Sequence, residues 1–487
     1  MHTTTTTVAA NDTCDLCIIG AGIAGLNALF AATQYLPATA RVILVDRNPT
    51  CGGMWTQTYD YVRLHQPHQM FTVGDLEWLW DKPREYLATG SEVLWHLQCC
   101  LDRLRNKVRL TERFRTACLE VEEHHTMSGP KAFVRCEGPD GTISTIEASR
   151  VIHAAGWDIP PIRPLKTSSR QIVSTSPALL LRDDTSPTAA ALIVGGGKTG
   201  MDTALALMGD GDQRKITLLN GKGAVFGNRD SLFPKGAARW WGGVMVGSLS
   251  ADIVCRFDGE NAKATFEHFR KCYAISPDIH GEQYMFSTMS GAELRRLSAG
   301  LTTIRHGYLD DVIDGPEGPE GLLRDGTSFP IARNTLMVNC TGHFATQSRV
   351  RRPVLSPMGT ILHINPRASI YFLSTSAAYF LTHAFYLNVL RHMPLFSLDM
   401  DSLNGKTPQF YFLTCLTHSF HNMMTFMNHV PLSVFSRCGL DINRWFPLHR
   451  RLISFARLKI HKRRYIDHSR TVLNQLHLSG SISCTQE

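Results

Sequence analysis

Short unbroken apolar runs and longer helix-like segments alternate along this chain, and their order sets out its architecture. Asp15–Ile19, Arg41–Val45, Ala190–Val194 and Lys215–Leu219 have the length and β-branched content of strands buried on both faces, as in parallel sheets. The first and third of these runs enter glycine-rich turns and continue as apolar helical segments, Leu26–Ala32 and Met201–Leu207. Ile370–Ser374 reads as a strand leading into a helical run, Ser376–Leu390, and the chain ends in a stretch with Leu448, Leu452, Phe455 and Leu458 at helical spacing.

The two turns carry the first chemistry. Gly20-Ala21-Gly22-Ile23-Ala24-Gly25 follows its strand directly: Gly20 permits the tight turn, Gly22 lets the backbone approach a pyrophosphate, and Gly25 lets the helix pack against the strand. The open N–H groups and positive dipole end of that helix favour phosphate. The next strand ends in Asp46, followed by Arg47, about 20 residues beyond the last glycine, where a carboxylate takes ribose hydroxyls. Gly195-Gly196-Gly197-Lys198-Thr199-Gly200 repeats the arrangement 175 residues later. A phosphate-binding P-loop is excluded there, because Leu192 stands where that motif needs its first glycine. The strand after this second loop ends at Asn220 and not at an acid, and Lys222 lies two residues on. With no carboxylate to hold a ribose diol or to repel a 2′-phosphate, the pattern favours NADPH over NADH.

Further motifs carry a family resemblance. Cys51-Gly52-Gly53-Met54-Trp55 is followed by Tyr61-Val62-Arg63-Leu64-His65-Gln66-Pro67-His68-Gln69-Met70-Phe71. Together with the first glycine loop, this resembles the FAD site of the flavin-containing monooxygenases, with its G-G-x-W turn and Y-x-x-L segment. The Leu64–Phe71 run looks most like YUCCA-type members, His68 replacing the usual Lys. Strand ends at Ala154-Ala155-Gly156 and at Cys340-Thr341-Gly342 are similar to the A-T-G turns where such two-site flavoproteins leave and re-enter the FAD domain.

The resemblance implies an α/β fold with two Rossmann-like dinucleotide-binding domains, the NADPH domain inserted into the FAD domain, and a mostly helical C-terminal extension. The expected division is 1–185 and 331–400 for FAD, 186–330 for NADPH with an insertion, and 401–487 for the extension. Val108–Val151, with its turn Gly138-Pro139-Asp140-Gly141, fits the β-meander carried inside the FAD domain. Expected FAD contacts are Gly20, Gly22, Ile23, Ala24, Gly25, Asp46, Arg47, Gly53, Met54, Trp55, His65 and Gly156, with Thr382 beside the ring. Expected NADPH contacts are Gly195, Gly197, Lys198, Thr199, Gly200 and Lys222. Thr341 and Gly342 border the cofactors at the second turn.

With both cofactors, hydride passes from nicotinamide to flavin, and the reduced flavin needs an acceptor. A thiol route is disfavoured, because the one C-x-x-C near a glycine loop, Cys14–Cys17, precedes the turn on the wrong side of the strand. Reaction with O₂ through a C4a-(hydro)peroxyflavin to oxygenate a small organic substrate is what the resemblance implies. His65, Gln66 and Gln69 are then the candidate catalytic donors. The alternative is a reductase using an acceptor other than O₂. The F-x-G-x-x-x-H-x-x-x-W/Y signature expected before the second glycine loop is absent: the linker Thr167–Pro177 has no aromatic residue and no histidine.

Composition adds limits. The 487 residues are 43 % hydrophobic and 19 % charged, a globular balance. Of the net charge of +8, a surplus of seven lies between Asp441 and Arg470, with nine Lys/Arg against two Asp, so the chain lacks the broad basic surface of a nucleic-acid binder. That tail allows contact with a membrane surface, but packing on the body as a solvated amphipathic helix is the preferred expectation. The thirteen cysteines sit in apolar segments without a framework or zinc-site spacing, which predicts free thiols, no metal, and a cytoplasmic setting. Ala368–Leu390 and Thr407–Ser436 lack charged residues, and their interspersed polar residues predict buried elements instead of bilayer spans.

Overall fold

The computed structural model describes residues 12–156, 159–180, 190–209, 214–342, 352–364, 368–369, 373–478 and 482–484. Its first sheet is built on β1 (Asp12–Ile19), whose apolar run is flanked on one side by β2 (Arg41–Val45) and β3 (Arg109–Arg113) and on the other by β6 (Ile143–His153), all parallel. β4 (Ala117–Thr126) and β5 (Gly129–Glu137) complete an antiparallel meander onto the first half of β6. The last three residues of β6 pair instead with Ile361–His363, which brings the distant part of the chain back into this sheet.

Helix α1 (Ile23–Ala32) is buried from Ala24 to Ala32, so it is apolar on every side and not amphipathic. It lies between the sheet and the helix Ser374–Tyr386. Ring pairs fix the relative direction of the two helices. Phe30 faces Tyr379, and Tyr35 faces His383 and Tyr386, so they run parallel with their N-termini at the same end.

The second sheet is entirely parallel, in the order Leu301–Arg305, β9 (Lys215–Leu219), β8 (Ala190–Val194), Thr335–Asn339 and β7 (Ile172–Thr175), with α3 (Lys198–Leu207) following β8. The two-Rossmann α/β architecture is therefore as expected, but its boundaries move. β7 was expected in the first unit and Thr335–Asn339 in the returning FAD segment; both are hydrogen-bonded into the second sheet. Thr335–Asn339 pairs along the free backbone edge of β8, and β7 in turn becomes the edge strand. An antiparallel three-stranded layer, Leu309–Asp314, Pro319–Leu323 and Ser328–Pro330, follows. It clasps the linker that lacks the family signature: the Ser168 amide and hydroxyl donate to Asp311 at 2.9 and 2.5 Å.

The insertion and the C-terminal extension form one body. Helices Val246–Arg256 and Ala262–Tyr273 pack on Pro408–His429 around Phe257, Phe266, Phe269, Phe412 and Leu413. This accounts for most of the charge-free stretch Thr407–Ser436: Pro408–His429 is a core helix of this body, while Leu432–Ser436 is a separate short helix whose Val434 joins the core of the first unit. Of the other stretch, Ile370–Phe372 lies outside the described residues, and Ala377–Phe385 is buried in the first unit. Among the described residues no helix is long and apolar enough to cross a membrane. The cysteines from Cys14 to Cys438 are free thiols, and burial pushes Cys14 up to about 12.

Candidate active site

The first glycine loop is shaped by contacts that leave no room for side chains. Gly20 has φ +103°, and a Cβ there would lie 2.4 Å from the carbonyl oxygen of Ala154, at the strand end two residues before Gly156. A Cβ on Gly25 would lie 1.7 Å from the Gly20 oxygen, so helix and strand meet as the motif requires. Gly22 caps α1 without any side-chain hydrogen bond, leaving the Ile23, Ala24 and Gly25 end of the helix open to an anion. Opposite it, Gly53 has φ +57°, and its Cβ would come 2.9 Å from the Gly22 Cα. Gly22 and Gly53 thus form the two sides of one backbone cradle. Met54 is exposed beside it, and Trp55 packs edge-on to Phe71 at 5.5 Å.

Asp46 is buried at the end of β2, and its carboxylate accepts the amides of Ala21 (2.6 Å) and Asn48 (2.7 Å). It therefore ties the glycine loop to the neighbouring strand. Arg47 is exposed. Thr382 is fully buried with its hydroxyl unpartnered, two turns along the helix Ser374–Tyr386 and beside the C-terminal half of α1. The parallel packing puts Ser374 and Thr375, not Thr382, at the end nearest the glycine loop.

The second loop repeats the first. A Cβ on Gly200 would lie 2.0 Å from the Gly195 oxygen, and one on Gly195 (φ +111°) 2.8 Å from the Cys340 oxygen, which seats Thr341 and Gly342 beside this loop. Gly197 caps α3 with no side-chain bond and open space around it. The ammonium of Lys198 does not reach outward. It binds Asp202 one turn on and lies 3.7 Å from Glu293. Lys222 is exposed. Asn220 at the end of β9 donates to Asp278 at 2.8 Å, and His306 lies 3.3 Å from the same carboxylate oxygen. An acid supplied from residue 278 therefore stands behind Asn220, although the strand itself ends without one.

Between the loops runs the segment that begins at Gly53. Tyr59 donates to Asp202 at 3.2 Å, and Tyr61 shares a 2.7 Å bond with Thr203, so both tyrosines dock on α3. His65 then meets the insertion: its carbonyl accepts from Arg229 (3.2 Å) and Thr288, and its Nδ1 accepts the Thr288 amide at 3.3 Å. Nδ1 is thereby the acceptor, and the ring proton sits on Nε2. Burial, with the charges of Lys198 and Arg229, pushes His65 down to about 3, so the ring is neutral at physiological pH. Arg229 itself pairs with Glu293. Gln66 and Gln69 are partly buried on the same segment. His68 turns away into a cage of Trp78, Trp80 and Tyr86.

Sequence reasoning missed Tyr59, Asp202, Thr288, Glu293 and Asp278. Two had a local signal: Glu293 as the fourth residue of the capping box Ser290–Glu293, and Asp202 one helical turn after Lys198. Tyr59, Thr288 and Asp278 are joined only by tertiary contacts.

Comparison with known proteins agrees with this picture. Residues 14–231 match the family model of the pyridine nucleotide-disulphide oxidoreductases, which spans both glycine loops. Uncharacterized proteins of Mycobacterium tuberculosis and Mycobacterium bovis are 26 % identical over 357 residues, covering 70 % of this chain and 62 % of their own length. The match thus spans less than two thirds of those relatives. Similar solved structures include an ornithine N-hydroxylase from Kutzneria sp. 744, described with reduced FAD, NADP⁺ and L-ornithine (12 % identity, 78 % of this chain and 99 % of that one, TM-score 0.49). A flavin-containing monooxygenase from Stenotrophomonas maltophilia is 15 % identical over 77 % of this chain and 99 % of its own, with TM-score 0.44. An S-allyl-L-cysteine S-oxygenase from Allium sativum is 12 % identical over 96 % of this chain and 98 % of its own, with TM-score 0.45. By fold the chain carries two Rossmann-like units, each with its own glycine loop between strand and helix.

Proposed function

We propose that the protein is an FAD- and NADPH-dependent monooxygenase that oxygenates a small organic substrate with O₂. The observation that carries the reading is the path of residues 53–71. They start in the backbone cradle of the first loop, dock on the helix of the second and hold a neutral histidine between them. FAD, when bound, would accept hydride from NADPH and deliver its electrons to O₂.

The chain's own part is binding and positioning. The bare ends of α1 and α3 fit two pyrophosphates, because both caps lack a side-chain acceptor for the first N–H groups and the glycines leave space. His65 offers an Nε2–H as a hydrogen-bond donor. Being neutral, it orients a reacting group without surrendering a proton to bulk exchange. Gln66 and Gln69 add donors from the same segment, and the buried body behind Arg229 and Glu293 shields it from water. Buried thiols with raised pKa give no support to disulfide reduction as an alternative.

The decisive experiment reduces the bound flavin anaerobically with NADPH and then mixes it with O₂ in a stopped-flow spectrometer. A transient spectrum belonging to neither reduced nor oxidised flavin is expected, and its loss in His65→Asn would place His65 at the reacting atoms. Direct return to oxidised flavin in one phase would instead support the reductase reading. The Asp278 carboxylate behind Asn220 favours a second reading at one point, acceptance of NADH, which rates of flavin reduction by the two coenzymes distinguish.

A further inference from the structure

The helix Leu448–Ile460 faces the wrong way for a solvated amphipathic helix. Its buried residue is Ser454, and Leu458 turns inward to within 3.4 Å of where a Gly247 Cβ would stand. At about 3.6 residues per turn the opposite face carries Leu448, Leu452, Ala456, Ile453 and Ile460. Those residues are exposed: Leu448 62 %, Leu452 58 %, Ile453 52 % and Ile460 75 %. The expectation that the leucines at helical spacing pack on the body therefore holds for Leu458 and fails for Leu448 and Leu452.

The patch extends beyond the helix. Trp240 stacks on His449 with ring centres 5.5 Å apart, and Trp241 beside it is 76 % exposed. Arg450 fixes this loop by donating to the carbonyls of Arg239 and Gly242. Arg457 and Lys459 on the same helix, and Arg463 and Arg464 at the start of the next, are exposed, in a stretch with nine basic residues and two acidic ones.

We propose that this surface docks the protein on an anionic phospholipid membrane, the apolar face and Trp241 entering the headgroup boundary and the basic rim meeting lipid phosphates. A helix of thirteen residues, about 20 Å long, suits the interfacial orientation and cannot span. Charge decides among occupants: a second copy of this chain would set basic rim against basic rim, and a nucleic acid would leave five aliphatic side chains uncovered. The surface is independent of the oxygenation chemistry and stands whether or not that reading does.

The test is sedimentation of the full chain with phosphatidylcholine vesicles, with and without phosphatidylserine. Pelleting with the anionic vesicles alone is expected, weakening as salt rises. Leu452→Ser with Ile460→Ser should lower the affinity on the order of tenfold, and Arg457→Glu with Lys459→Glu by at least as much. All four side chains are on the surface, so the thermal melt serves as the control and should not move. Failure to pellet with either vesicle overturns the proposal. So does a self-associated species dispersed by the Leu452/Ile460 variant, or equal binding to soluble polyglutamate that the same variant leaves unchanged.

Discussion

Acidification is a perturbation whose effect this structure allows to be sized. His96, His363, His383, His418 and His421 are all buried. Burial is the largest influence on each, pushing His96 and His421 down to about 3 and His363, His383 and His418 to about 4. In the unfolded chain each titrates near 6.5, so below that pH the unfolded state takes up protons that the folded state refuses. The stabilising contribution is thus complete above about pH 6.5 and is lost as pH falls toward the folded values. At about pH 5 each histidine costs about 2 kcal/mol, and five together about 10 kcal/mol, as large as the whole stability of a typical domain. Carboxylates act in a lower window, since Glu123 and Glu293 are held below their ordinary range and release stability only under about pH 4.5. Melting curves between about pH 7.5 and 5 should show a drop of roughly 10–20 °C, beginning near 6.5. His421→Asn, which keeps a partner for the Ser469 hydroxyl, should reduce that slope by about one fifth. A melting temperature flat down to about pH 5.5 would refute the reasoning, because it would mean that these rings gain protons without unfolding.

The cradle and the charge cluster give three more tests. Gly53→Val forces a β-branched residue to φ +57° and drives its Cβ against Gly22; at least on the order of tenfold weaker flavin retention is expected, read from the flavin-to-protein absorbance ratio. Glu293→Gln leaves Arg229 and Lys198 facing each other without their shared carboxylate and weakens the Ser290 cap. A loss of about 2–3 kcal/mol should appear in denaturant melts. Asp278→Asn removes the acid behind Asn220, and the kcat/KM ratio of NADPH to NADH should rise on the order of tenfold; an unchanged ratio would separate Asp278 from the ribose pocket.

Most of the nucleotide-binding scaffold was legible in the chain because its causes are local. Gly25 and Gly200 are dictated by close approaches to Gly20 and Gly195 within a single strand–turn–helix unit, and spacing reports that unit, whereas Gly20, Gly22 and Gly195 face the distant backbone of Ala154, Gly53 and Cys340. The meander of β4 to β6 was legible through its alternation and its Gly138–Gly141 turn. Partners brought together across the chain were not. Asn220 read as a strand end without an acid, yet Asp278, 58 residues later, accepts its side-chain amide. His65 read as one donor among several, while its neutrality comes first from burial and then from the charges of Lys198 and Arg229, and its tautomer from Thr288, none of them near it in sequence. The helical spacing of Leu448, Leu452 and Leu458 correctly announced an amphipathic helix but could not say which side meets the protein. Period records which residues share a face; only the packing of the other elements decides whether that face is buried or left outward. The sequence by itself determined the two phosphate cradles, and the tertiary structure decided what stands between them and what surface the chain presents.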